Sequence, residues 1–294
     1  MKTGFAQFHP LLQMLIFVSC ISVTMLIMHP VFLVTSFLLS SAYMICSSGT
    51  GRLLSALKLD LITSVMIIII NPLVSHAGVT VLAYLPSGNP LTLESVIFGF
   101  AAALLMSCTV NWFFCINSVL TSDRIIYLLG RLFPRLALMI SITLGFSSKL
   151  SDHYRRVRDA QKCLCSGNKN VFFRIRQNIR IISSVIQWSL ENSVDTADSM
   201  KSRGYGTGKR TGYNNYKFRA FEKLLIILIV LIDSAIAAAY FSEYIYFSYY
   251  PVLEIETNNI WSYVVFAIYA LICLIPLAAD LMEAKKWKYL RSGI

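Results

Sequence analysis

Between Lys58 and Arg124 the sequence runs for 65 consecutive residues without a lysine or arginine, and it does so again for 61 residues from 224 to 284. Apolar stretches of that length leave a water-soluble domain without the charge its surface needs. They suit a bilayer, whose hydrocarbon core of about 30 Å is crossed by roughly 20 mostly apolar residues in a helix. Composition agrees, with 56% hydrophobic and only 14% charged residues, against about 25% charged in an ordinary soluble domain. The fold class expected is therefore an all-α integral membrane protein.

Six windows qualify as spans: 11–28, 31–47, 60–74, 94–120, 224–246 and 261–282. The first two are separated only by His29-Pro30, where proline removes a backbone donor and pushes the preceding residue out of helical geometry. Asn71-Pro72 predicts an irregular far end for the third. The first window is too long for the apolar core of a secretory signal and leads straight into the second span, which reads as a retained hairpin.

Orientation follows from where positive charge is missing. The loops 75–92 and 247–260 carry no Lys or Arg, whereas Arg52 and Lys58, then Arg124, Arg131 and Arg135, then Lys285, Lys286, Lys288 and Arg291 mark the other side. The positive-inside rule makes that side cytoplasmic, with both termini there and an even number of crossings in the cell membrane of a prokaryote. Tyr244, Tyr246, Tyr249, Tyr250, Trp261 and Tyr263 form the outer aromatic belt, and Trp287 and Tyr289 the inner one. The apolar segment 136–146 is too short to span and lies between Arg135 and Lys149, so it is expected to dip into the interface at the start of a cytoplasmic region.

That region holds nearly all the charge. Residues 149–223 contain 16 Lys or Arg against 6 Asp or Glu, ten of the eleven excess positive charges of the chain. An insertion of 75 residues between spans requires its own structure. Three divisions result: a first membrane part at 1–148, the basic block at 149–223, and a second membrane part with a basic tail at 224–294.

Two helices are legible in the block. The first, 151–164, is polar and carries Arg155, Arg156, Arg158, Asp152 and Asp159 before the stop signal Ser166-Gly167-Asn168. The second carries Ile175, Ile179, Ile182, Ile186, Leu190, Val194 and Ala197 at spacings of three and four, one apolar helical stripe, and ends at Arg203-Gly204. The glycine-rich run 204–212 fails as a phosphate loop. Five residues before Gly208 stands Arg203 rather than Gly, Lys209 is followed by Arg210, and no strand precedes it. It reads as a basic return to the membrane surface. Near that surface each basic residue gains about 1 kcal/mol from anionic lipid. In the core of the block the only aromatic residues are Phe172, Phe173 and Trp188, and no reader motif occurs, so nucleic acid is not an expected partner.

Catalytic and metal chemistry have little to stand on. His9, His29, His76 and His153 are dispersed without Cys or acidic partners at ligand spacing. The seven cysteines are too sparse for a disulfide framework, and five of them lie in apolar runs. Asp233, inside the fifth span, suits a structural hydrogen bond better than a proton path, since no further acid or His lies at similar depth. Small residues four apart, Gly99, Ala103 and Ser107 in the fourth span and Ser234 and Ala238 in the fifth, allow close approach of a neighbouring helix, internal or from another chain.

Several short motifs lie along this bundle: His9-Pro10, His29-Pro30 and Asn71-Pro72-Leu73, then Leu120-Thr121-Ser122, Leu129, Leu132 and Pro134, Ala160-Gln161-Lys162, and 198–205 reading Asp-Ser-Met-Lys-Ser-Arg-Gly-Tyr. Over roughly 5–285 the chain resembles the T component, the transmembrane coupling subunit, of energy-coupling factor transporters, a family that includes cobalt-type relatives. The resemblance implies two cytoplasmic ABC-type ATPase subunits that bind ATP and Mg, a small membrane substrate-binding S component, and no enzymatic activity or cofactor in this chain. It also implies that two Ala-Arg-Gly motifs, one ending each coupling helix, dock into the ATPases. Ser202-Arg203-Gly204, preceded by Lys201, looks like the second, with Ser in place of Ala. The first would fall at Cys163-Leu164-Cys165, after Ala160-Gln161-Lys162, where its arginine and glycine are absent; Arg158 or Lys162 would then supply the charge. The rival readings are a self-sufficient channel or secondary carrier, and a membrane-anchored basic scaffold.

Overall fold

The computed structural model describes residues 4–84, 90–164, 171–208, 216, 218–242, 246–256 and 260–292. After a short 3-10 helix at Gly4–Gln7, the described elements in chain order are α1 (Pro10–Leu26), α2 (Pro30–Ser48), α3 (Thr50–Val74), β1 (Val81–Tyr84), β2 (Pro90–Thr92) and α4 (Leu93–Val119). They continue with α5 (Ser122–Leu132), α6 (Pro134–Leu164), α7 (Val171–Ser202), α8 (Ala220–Phe241), β3 (Tyr246–Ser248), β4 (Glu254–Glu256) and α9 (Ile260–Ser292). Two compact units result, one of Met1–Arg124 with Tyr216–Ile294 and one of Ile125–Asn215.

The first unit is the all-α bundle. Windows in α2, α3, α4, α8 and α9 are long and apolar enough to cross a membrane. The first expected span becomes α1, whose 17 residues reach about 25 Å at 1.5 Å per residue, the short end of the spanning range. Both His-Pro pairs work the same way. The Nδ1 atoms of His9 and His29 accept from the amides of Leu11 and Val31, each at 3.2 Å, while proline occupies the first helical position, where no amide is needed.

The core is aromatic. Trp112 of α4 is fully buried and donates through Nε1 to Ser36 Oγ of α2 at 2.8 Å. Phe17 meets the Trp112 ring edge-on at 5.9 Å. Tyr269 of α9 is also fully buried and donates to the Cys20 carbonyl of α1 at 3.3 Å. At the end of the bundle carrying the two hairpins, the Tyr249 hydroxyl donates to the Met28 carbonyl at 2.7 Å.

The two small-residue patterns have different fates. A Cβ on Gly99 would lie 3.4 Å from Asn71 Cβ and 3.6 Å from Ile68 Cα of α3. Ala103 is buried, and Ser107 Oγ sits 3.1 Å from Ser64 Oγ of α3. That stripe packs inside the chain. Ser234 and Ala238, by contrast, are exposed on α8, and the Ser234 hydroxyl bonds back to the Leu231 carbonyl at 2.8 Å.

Two expectations are corrected. Asn71-Pro72 does not make the end of α3 irregular: the proline removes only the bond its own amide would donate, the Ser75 amide still donates to the Asn71 carbonyl at 2.8 Å, and the helix continues to Val74. Segments 136–146 and 151–164 are not separate elements but one continuous helix, α6, since no helix-breaking pair divides them. Asp233, half-buried, accepts from Ser19 Oγ at 2.6 Å, the structural bond expected of it; Asp60, Glu94, Glu222 and Asp280 are buried.

Candidate functional site: the end of the helical arm

The second unit is built on α6 and α7, which run antiparallel. Gln177 Nε2 donates to the Gln161 carbonyl at 3.1 Å, and Trp188 stacks on His153 at 4.2 Å and on Phe146 at 5.6 Å. Gln177, Ile181, Val185 and Trp188 recur at spacings of three and four, and Ile181 and Val185 are buried. This second, less apolar stripe supplies the contact with α6. The stripe legible in the sequence stays uncovered: Ile175, Ile179, Ile182, Ile186, Leu190 and Val194 are 52% to 65% exposed. A row of uncovered aliphatics of that length marks an apolar contact surface.

At its C-terminus α7 closes with two crossed bonds. The Gly204 amide donates to the Lys201 carbonyl at 2.9 Å and the Tyr205 amide to the Met200 carbonyl at 3.0 Å. Gly204 takes φ +82°, the left-handed conformation that glycine adopts without a Cβ penalty. This is the Schellman arrangement, with Gly204 just past the cap and Arg203 as the cap itself. Ser202 Oγ donates to the Asp198 carbonyl at 2.8 Å, and Lys201 Nζ lies 3.8 Å from Asp198 Oδ1 in an exposed pair. Arg203 is exposed, and among the described residues its guanidinium has no hydrogen-bond or ion-pair partner. Thr207 Oγ1 donates to the Gly204 carbonyl at 2.7 Å and braces the turn. The sequence placed Lys201, Ser202, Arg203 and Gly204 at a helix end, and the structure brings them together on one capped terminus.

The end of α6 is different. Arg158 Nε lies 3.7 Å from Asp159 and its guanidinium sits over the Tyr154 ring at 5.9 Å. Lys162 Nζ lies 3.8 Å from the same Asp159 carboxylate. Ala160 is exposed, Gln161 gives its carbonyl to Gln177, and Leu164 is the last described residue of α6. Both basic side chains are thus engaged with their own helix. Cys165 and the stop signal 166–168 lie outside the described residues, as does the basic part of the glycine-rich run from 209 onward. Among the described residues no three His, Cys, Asp or Glu side chains gather in a metal-binding group.

A helical bundle with five bilayer-length apolar helices and a basic antiparallel helix pair inserted before its last two helices defines a polytopic membrane protein with a helical arm. The family model described as CbiQ, cobalt transport protein, matches residues 2–213, and the chain belongs to that family. The match takes in the bundle through α4 and the whole arm including 202–204, and it marks the chain as a component of a cobalt or energy-coupling-factor type transporter. No curated protein matches the chain.

Proposed function

We propose that the chain is the transmembrane energy-coupling subunit of an ATP-driven uptake transporter for a vitamin or trace metal. Two cytoplasmic ABC-type ATPases bind ATP with Mg and hydrolyse it; their movement is passed through α6 and α7 to the bundle and to a small membrane substrate-binding protein. This chain performs no chemistry on ATP or on the cargo. Arg203 is its grip on an ATPase, because a planar cation with five donors pairs with carboxylates and carbonyls in a fixed orientation. The exposed aliphatic stripe of α7 serves the substrate-binding partner.

The observation that carries this reading is the capped end of α7, where a positive-φ glycine holds an exposed arginine at the tip of a 32-residue helix. At the α6 end Cys163-Leu164-Cys165 stands where the first such motif would fall, so the two ATPases meet unequal ends of the arm. The test is purification of the full chain from its native membranes in mild detergent, with identification of everything that co-elutes. Two ATPase subunits and a small membrane protein are expected, and a chain that transports its cargo in vesicles without any ATPase contradicts the proposal.

A further inference from the structure

The chain leaves the bundle unit after Arg124 and re-enters it at Tyr216, and both crossings are held by the same N-terminal stretch, residues 4–13. At the exit, Arg124 Nη1 donates to Gln13 Oε1 at 2.7 Å and to the Val119 carbonyl at 3.0 Å, while Nη2 donates to the Ala6 carbonyl at 2.8 Å. At the re-entry, the His9 ring stacks on Phe218 at 3.5 Å with 19° between planes. The buried Glu222 carboxylate accepts from the His9 amide at 3.3 Å and from the Arg219 amide at 3.0 Å. The stretch is itself fixed to the bundle. Gln13, fully buried, donates through Nε2 to the Phe5 and Phe8 carbonyls at 2.6 and 2.9 Å, and the Phe5 amide donates to Asp280 Oδ1 of α9 at 2.8 Å.

Three features set Arg124 apart from a surface arginine. Its partners are neutral oxygens on the N-terminal stretch and on the end of α4, so the guanidinium fixes positions and does not neutralise a charge. One of them, Val119, is the last residue of α4, where a helix C-terminus favours a cation. Only Leu120 and Thr121 separate α4 from α5, Arg124 stands in the first turn of α5, and its amide donates to the Thr121 carbonyl at 3.0 Å, so its side chain ties the start of α5 to the bundle.

We propose that Arg124 is the positioning residue of the coupling step: it clamps the root of the arm to residues 4–13, which also hold the returning chain, so that force applied to the arm reaches α1 and α9. The inference rests on the energy-coupling reading above. Without the clamp the two-residue joint between α4 and α5 yields, and motion of the arm is dissipated there.

The test uses the full chain co-purified with its ATPases in nanodiscs. Spin labels are placed through Ser184→Cys on α7 and Ala284→Cys on α9, both exposed positions, with Cys46, Cys163 and Cys165 replaced by serine. Addition of ATP shifts the distance between labels when Arg124 is intact. In Arg124→Gln the ATPases stay bound and hydrolyse ATP while the shift falls by on the order of tenfold, the scale of losing a charge-assisted contact in a coupling element. Gln13→Leu attacks the same contact from the other side and gives the same loss, and Arg124→Lys, which keeps the charge without the fork, lies between. A full shift in both Arg124→Gln and Gln13→Leu overturns the inference, and so does a loss that merely follows ATPases lost from the complex. An intact chain that binds no ATPase overturns the energy-coupling reading itself, a result distinguishable from either.

Discussion

The amide of Tyr205 donates to the carbonyl of Met200 across 3.0 Å, spanning the end of α7 and requiring Gly204 between them to sit at φ +82°. A β-branched residue in that conformation costs roughly 1–2 kcal/mol. Gly204→Val is therefore expected to fray the tip and weaken ATPase binding by about tenfold, since 1.4 kcal/mol is a factor of ten. Gly204→Asn, which tolerates the left-handed region, stays near the original affinity. Titration of purified ATPase onto the chain in nanodiscs measures both.

Trp112 is the anchor between α4 and α2. Trp112→Ala removes a fully buried indole and lowers stability by about 3–5 kcal/mol. Ser36→Ala keeps the packing but strands the buried Nε1 donor now bonded at 2.8 Å, a loss of about 1–3 kcal/mol. Thermal unfolding in detergent should rank the two in that order.

Gly99 and Ser234 share a sequence pattern but not a surrounding. Gly99→Leu forces bulk against Asn71 and Ile68 of α3, where overpacking costs about 1–3 kcal/mol. Ser234→Leu adds bulk on an exposed face of α8 and leaves the melting temperature of the isolated chain unchanged. Equal losses in the two variants would contradict the packing described here.

His29 gives the bundle a pH dependence. Burial lowers its pKa from the usual 6.5, and its Nδ1 accepts from the Val31 amide, which only the unprotonated atom can do. Between the lowered folded value and 6.5 the unfolded chain binds the proton and the folded chain does not, so stability falls as pH drops below about 6.5 and levels off once the folded chain is also protonated. Melting curves from pH 7.5 to 5 in detergent should show this decline, and His29→Asn, which retains a helix-capping oxygen, should flatten it.

The apolar windows were legible because each helix had to be apolar over its whole length, and the spans end within a few residues of where hydropathy places them. The end of α7 was legible for a different reason: Arg203-Gly204 is a local stop signal, and the bonds that realise it join residues no more than five apart. What stayed hidden is long-range. Gln13, Arg124, Glu222 and Asp280 read as ordinary polar residues, and only folding brings 5 beside 280 and 13 beside 124. The stripe Ile175 to Val194 was visible, but its period does not say whether a partner in the same chain covers it. Gln177, Ile181, Val185 and Trp188 take that contact, aided by aromatic stacking that apolar counting undervalues.

In the proposed function Arg203 is the grip on an ATPase. The most direct measurement is co-purification of Arg203→Glu with the ATPase subunits, beside the unaltered chain at equal expression and membrane insertion. At least one ATPase is expected to be lost or greatly depleted, and ATP-driven uptake to fail with it. Full assembly and undiminished uptake in Arg203→Glu would contradict that role.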